Sequence, residues 1–261
     1  MSKSDHEIER VSPTAPAIAA FVVLIHLVLP SASVAMARAV DPTTRASVMW
    51  FTYVHAIPNG VLLADATALR DTADTLATAE QSGDDFALDL ARTAHGVTLV
   101  HQHGPQREAG FDLLAKIRER ALNQQFALIA LPIVDIHLAR EKAQLGDLGG
   151  AIALARTVVD DLFASGGCIW SALATTVLVE ALLQRRGGGD LGDAQAAIDR
   201  LAAAPTDPGF VLHELALLRL RALLARAHSD DARYREYRDR YRDMARALGF
   251  EGHIAWAEAM P

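Results

Sequence analysis

The phrase Gly-Asp-Leu-Gly occurs twice in this chain of 261 residues, at positions 146–149 and 189–192. The copies begin 43 residues apart, and each opens an alanine-rich run. A pair of antiparallel helices with its turns needs about 34 to 47 residues, and such pairs stack because one pair cannot bury its apolar face alone. The spacing predicts an all-α fold of tandem antiparallel helix pairs, a tetratricopeptide-like solenoid with a period of about 42 residues.

Weaker signals extend this period along the chain. The second helix of each pair is predicted to begin near a bulky residue: Phe86, Phe126, Ile169, Phe210 and Ile254. Asp-Pro at 41–42 and at 207–208 is a typical helix start, with a capping carboxylate followed by proline in the first turn. Pro132 leaves two alternatives: a helix from Phe126 bends there, or a short turn precedes a helix over 132–145.

Apolar residues at helical spacing cover most of the remaining chain. Helices are predicted at about 65–80, 84–102, 107–124, 148–164, 168–185, 190–203, 209–227 and 230–248. Breaks are expected at 57–60 and 187–189, where Pro, Asn and Gly are concentrated. No stretch alternates as a half-buried strand would, so the fold class remains all-α.

Composition narrows the classes of function. The net charge of −7 argues against a general nucleic-acid surface. The single cysteine, Cys168, excludes an internal disulfide and fits a reducing cytosol, where we expect it to be a small buried apolar residue. The sequence therefore predicts a cytoplasmic protein.

The N-terminal stretch contains an apolar run over 17–29 that allows three interpretations. A signal peptide needs a basic start, which is missing here because acidic residues offset the basic ones before this run. A membrane anchor needs about 20 apolar residues, whereas this run contains His26 and ends at Pro30. We therefore interpret 1–32 as a poorly defined segment with an apolar helix, and 33–261 as the helical-repeat domain, with no membrane partner.

Motifs for catalysis are incomplete. No glycine loop precedes a lysine, no Gly-x-Ser-x-Gly elbow occurs, and His213-Glu214 is followed by Leu217 where a zinc helix needs a second ligand. The nearest metal-like groups are His95, His101 and His103, and the acids Asp84, Asp85 and Asp89, which resemble the magnesium-binding aspartates of all-α prenyl-transfer enzymes. Acids in a first helical turn are also expected from the helix dipole. We predict no catalytic residue, cofactor or metal, with a small metal-dependent all-α enzyme as an alternative.

The last long helix is rich in arginine and tyrosine. Six arginines and three acids lie between 233 and 246, and three tyrosines share one face. This helix is interpreted as a cap whose tyrosine face packs inward, or alternatively as a docking surface for nucleic acid or an acidic partner. The predicted interaction surface combines this helix with the first helices of the pairs: Arg107, Asp112, Arg118, Arg156, Asp160, Tyr237, Arg238 and Arg242.

Four stretches carry a resemblance to a known family. They are DPTTRA at 41–46, AEQSGDD at 79–85, TDPGFVLHE at 206–214 and LGFEGHIAWAEAMP at 248–261. They resemble the C-terminal helical-repeat region of large signalling proteins from high-GC bacteria. In that family a class III adenylate cyclase domain, or a helix-turn-helix DNA-binding domain, is joined to an ATPase domain and a tetratricopeptide-like tail. The resemblance covers roughly 33–261.

This resemblance implies a regulatory tail without the family's catalytic parts. The chain contains no cyclase domain, phosphate loop or helix-turn-helix segment, so no catalytic residue can be carried over. We expect a stand-alone or truncated tail, or a gene remnant, that does not act as an enzyme. The expected partner is a protein or peptide, or a small effector held on the concave face, and not nucleic acid or membrane.

Overall fold

The computed structural model describes residues 41–124, 128–166, 168–206 and 209–260, and every regular element in these ranges is helical. The α-helices are α1 Pro42–Met49, α2 Ala66–Ser82, α3 Asp85–Val100, α4 Pro105–Gln124, α5 Leu131–Gln144, α6 Leu148–Ser165, α7 Cys168–Arg185, α8 Asp190–Ala202, α9 Val211–Ala227, α10 Asp231–Leu248 and α11 Glu251–Glu258. The predicted all-α class is confirmed. The predictions for the apolar run, Phe126 and Asp207-Pro208 lie outside the described residues.

The start of α1 follows the predicted capping pattern. The Asp41 carboxylate accepts a hydrogen bond from the backbone N–H of Thr44 at 3.0 Å, and Pro42 is the first helical residue. A π-helical turn over Trp50–Val54 continues directly from α1. The break predicted at 57–60 is a turn, and α2 begins after it with Asp65 as its cap.

The repeated Gly-Asp-Leu-Gly phrase spans the starts of α6 and α8, and its first glycine lies in the turn before each helix. Gly146 and Gly189 both adopt positive φ angles, of 88° and 95°, which glycine reaches without steric cost. The aspartates that follow differ in role. Asp147 caps α6 by accepting the N–H of Gly150, whereas the Asp190 carboxylate turns back to the N–H of Gly187 and to Arg185.

Pro132 does not bend a helix. A short 3-10 turn over Leu128–Ala130 precedes α5, and Pro132 occupies the first turn of that helix, where a missing N–H costs nothing. The second of the two alternatives left by the sequence is therefore confirmed.

The helices form two layers. Helices α3, α5, α7 and α9 contact one another in series and make the inner layer, while α4, α6, α8 and α10 pack outside them against their neighbours in sequence. One continuous apolar core follows the layers from Ala46 to Leu224. None of the helices in the described ranges is long and apolar enough to cross a membrane.

The last helix closes onto the loop that follows the π-helical turn. The backbone N–H of His253 donates to the carbonyl of Gly60 at 3.0 Å, and the Leu63 N–H donates to the Glu251 carboxylate at 3.3 Å. At the other end of this loop, the His55 ring stacks on Trp170 of α7 with centroids 4.5 Å apart. The loop thus lies across the inner layer, from α7 to α11.

Candidate functional site

A cavity of about 590 Å³ lies between the inner helices, α11 and the turn at Pro58 and Asn59. Ligand pockets commonly measure roughly 300–1,000 Å³. One part of the wall is apolar and contains Phe111, Leu173, Val177, Leu212, Ala181 and Ala216. The other part is polar, and it collects charged groups from four helices.

Three arginines line the polar wall. Arg219 forms an ion pair with Glu180, the one carboxylate among the lining residues, and Arg107 donates to Glu141 at 2.9 Å. Arg140, which is partly buried, forms no ion pair or hydrogen bond with any residue in the described ranges. Burial lowers the pKa of its guanidinium, an effect that the nearby Glu180 carboxylate partly offsets.

Two histidines meet beside Arg140. The rings of His101 and His137 are edge to face with centroids 5.4 Å apart, and the Nε2 atoms of both are buried without a hydrogen-bond partner among the described residues. Burial, reinforced by the charges of Arg140 and Arg107, lowers the pKa of His101 to about 3. Burial also lowers the pKa of His137 far below its ordinary value. Both imidazoles are therefore neutral at pH 7.

His253 is another polar residue of the cavity lining. Its Nδ1 lies 2.8 Å from the hydroxyl of Tyr241, and its ring packs edge to face with Trp256 at 5.0 Å. Burial lowers its pKa to about 4, against the opposing effect of a hydrogen bond to the Asn59 backbone. This ring connects the cavity wall to the contact between α11 and the loop.

Helical periodicity brings these residues to one wall. His137, Arg140 and Gln144 follow one another at spacings of three and four on α5, which places them on the same face. Thr176, Glu180 and Gln184 follow at spacings of four on α7 and likewise share a face. Because the inner helices pack side by side, their polar faces converge on one space.

The charged residues predicted on the first helices of the pairs mostly form ion pairs between helices. Arg107 alone of these five lines the cavity. Arg118 of α4 contacts Asp135 of α5 at 2.5 Å, Arg156 of α6 contacts Asp193 of α8 at 2.8 Å, and Asp160 pairs with Arg200. Asp112 is exposed. These pairs neutralise much of the charge on the outer layer.

The last long helix, α10, has the features of a cap. Tyr234 and Tyr241 are buried, and Tyr237 packs partly buried against the same apolar clusters. Arg238 and Arg242 both contact the carboxylate of Asp239, at 3.0 and 3.1 Å. The tyrosine face thus packs inward, and the arginines meet neighbouring acids.

The candidate metal ligands named from the sequence lie apart in space or already contact other side chains. The Nδ1 of His95 lies 3.0 Å from the Thr72 hydroxyl, and Asp84 caps α3. Asp89 is buried against Arg120 at 3.1 Å. No group of three or more His, Cys, Asp or Glu side chains suited to a metal ion occurs in the described part of the chain. The side chain of Cys168 lies outside the described residues.

Sequence reasoning singled out Arg107 and His101 but missed His137, Arg140, Glu180 and Arg219. Each of these four is a polar or charged residue within a predominantly apolar helix of the inner layer. That pattern was the available signal, because a charge in a buried face is unusual unless it is paired or faces a cavity. In comparisons with known proteins, no protein-family model, curated protein or solved structure matches this chain.

Proposed function

We propose that this chain is a non-catalytic helical-repeat module that binds a small effector between its inner helices and regulates a partner protein. The observation that carries the proposal is the cavity of about 590 Å³, with an apolar wall and a convergent polar wall. Pockets that combine these two kinds of wall are the usual places for small-molecule binding.

The chemistry of the lining favours binding over proton transfer. His101 lies beside Arg140, and a base with a pKa of about 3 accepts protons poorly near pH 7. Glu180 is held in an ion pair with Arg219. The polar groups therefore act as fixed hydrogen-bond partners and charges.

Two considerations support the regulatory part of the proposal. The two-layer packing, with one layer facing the cavity, is what a tetratricopeptide-like solenoid would provide. The resemblance to the helical tails of cyclase- and ATPase-containing signalling proteins implies a neighbouring regulator as the partner, bound in trans in the cytoplasm. A ligand bound between helices of different repeats would stabilise one relative arrangement of them, and so alter the surface offered to that partner.

The test is a thermal-shift screen of the purified chain against a metabolite library, followed by calorimetry of the hits. Ala181→Phe and Ala216→Phe place a ring in the cavity from α7 and α9, and each is expected to abolish the binding of every hit. Ala153→Phe makes the same substitution on the exposed side of α6 and serves as the matched control. Binding that survives both cavity variants, or the absence of any hit, would contradict the proposal.

A further inference from the structure

Among the described residues, the charges around the cavity do not balance. Arg107 and Arg219 each have a carboxylate partner, in Glu141 and Glu180. Arg140 has none among the described residues, and it is a partly buried residue of the cavity wall. An isolated charge in such a place is unfavourable unless an opposite charge joins it.

The neutral groups next to Arg140 are also incompletely bonded. The Nε2 atom of His137 lies in a side chain that is 2% exposed, and it has no hydrogen-bond partner in the described part of the chain. The Nε2 atom of His101 and the Nε atom of the Arg219 guanidinium are also buried and have no hydrogen-bond partner among the described residues. All of these residues line the same cavity. Buried polar atoms are normally bonded, so several unbonded ones together indicate a ligand group that would complete them.

We infer that the cavity receives a small organic molecule with a single negative charge, whose charged group lies against Arg140 between the two histidines and Arg219. This inference rests on the proposed function and names the chemical class of its effector. One unmatched arginine calls for one negative charge. A polyphosphate would bring more charge than the lining can match, because its other arginines are already paired.

The remaining wall indicates the uncharged part of the ligand. Phe111, Leu173, Val177 and Leu212 supply apolar surface to the same cavity. Burying an apolar body there gains roughly 25 cal/mol per Å². The class is therefore a monoanionic molecule with an apolar body, such as an aromatic or aliphatic carboxylic acid or a phosphodiester of similar size.

Calorimetry with matched probes tests this inference. The first pair is 1-naphthylacetate and 1-naphthylacetamide, which share the ring and differ in charge; O-methyl 1-naphthylmethylphosphonate is the corresponding phosphorus monoanion. We expect the intact chain to bind a monoanion at least tenfold more tightly than the amide, at fixed ionic strength. The preferred monoanion distinguishes a carboxylate from a phosphodiester source.

Arg140→Gln is expected to bring the acid and the amide to within twofold of each other in affinity. Arg235→Gln is the matched control, because Arg235 is exposed on α10 and does not line the cavity. Equal affinities in the intact chain, or a preference for the acid that persists in Arg140→Gln, would overturn the inference while leaving cavity binding in place. Failure of every probe to bind would also overturn it, and the metabolite screen would then decide the proposed function separately.

Discussion

The backbones of Gly60 and Gly252 lie so close together that a Cβ built on Gly252 would come within 2.7 Å of the Gly60 Cα. This approach lets α11 donate its backbone N–H groups to the loop at Gly60 and Val61. The same contact positions His253 and Trp256 in the cavity wall. The closure of the last helix on the first loop is therefore both a stabilising contact and part of the candidate site.

Gly60→Ala should reveal how much this contact contributes to stability. Gly60 has a φ of +67°, and a Cβ there would lie 2.7 Å from Cζ3 of Trp256. Gly83 is the matched control, since its φ is +69° and nothing lies within 4 Å of its Cβ position. Both variants should lose about 1–2 kcal/mol from left-handed strain. Gly60→Ala should lose roughly 1–3 kcal/mol more from the clash.

Urea unfolding followed by circular dichroism would measure both free energies of unfolding. Equal losses for the two alanine variants would show that the contact between α11 and the loop does not contribute to stability.

The protein should become less stable as the pH is lowered, because His253 is buried in its neutral form. Its pKa is lowered to about 4 from 6.5, so as pH falls the unfolded chain binds a proton before the folded chain does. The contribution is complete above pH 6.5 and is lost towards pH 4. Between pH 7.5 and 5.0 this one residue should reduce the free energy of unfolding by about 2 kcal/mol.

His253→Asn isolates this share of the pH dependence. The variant should be less stable at pH 7.5, since it loses the Tyr241 contact, but its stability should change less between pH 7.5 and 5.0. Arg235→Gln does not titrate in this range and serves as the control. A variant whose pH dependence equals that of the intact chain would show that His253 is not the group responsible.

Local signals in the sequence predicted the helices well. The turns at Gly146 and Gly189 and the cap at Asp41 each depend on a few adjacent residues whose conformational preferences are strong, whereas Pro132 left two alternatives open. The cavity depends instead on how the helices are placed in space. Arg140, Glu180 and Arg219 come from three different helices, α5, α7 and α9, and only the packing of these helices brings them together.

The contact between α11 and the loop was also beyond sequence reasoning. Leu63 and Glu251 are 188 positions apart, and no periodic pattern connects them. The first helices of the pairs carried more conspicuous charges, such as those of Arg118 and Arg156, but these charges serve ion pairs between helices. A conspicuous charge on an exposed helix face indicates solvation or pairing more often than a site.

Removing the charge of Arg140 should stabilise the ligand-free protein. Arg140→Gln eliminates a partly buried cation that has no ion pair with any described residue, and we expect a gain of about 0.5–2 kcal/mol. Arg219→Gln should do the opposite, with a loss of roughly 1–3 kcal/mol, because it leaves the Glu180 carboxylate without its partner. Chemical denaturation of both variants would provide the two values, and a loss of stability in Arg140→Gln would contradict the account of an unmatched charge.

The contribution of an interhelical ion pair to the free energy of unfolding should depend on how deeply the pair is buried. Asp89 of α3 is 1% exposed in its side chain and contacts Arg120 of α4, whereas the side chains of Arg156 and Asp193 are about half exposed. Arg120→Ala leaves a buried carboxylate whose pKa is raised, mainly by burial, even with the arginine present. We expect Arg120→Ala to lower the free energy of unfolding by roughly 2–4 kcal/mol near pH 7. Arg156→Ala, the same substitution in an exposed pair, should cost less than about 1 kcal/mol.

The pH dependence of the stability of Arg120→Ala distinguishes the effect of the unpaired Asp89 charge from the effect of lost packing. Without the arginine, protonation of Asp89 relieves the unpaired charge, so the difference in unfolding free energy from the intact chain should shrink as the pH is lowered from 7 to 5. Asp89→Asn combined with Arg120→Ala should recover part of the loss at pH 7, since no buried charge then remains. A deficit for Arg120→Ala that is unchanged by pH and by Asp89→Asn would mean that the arginine stabilises the α3–α4 contact through its aliphatic portion alone.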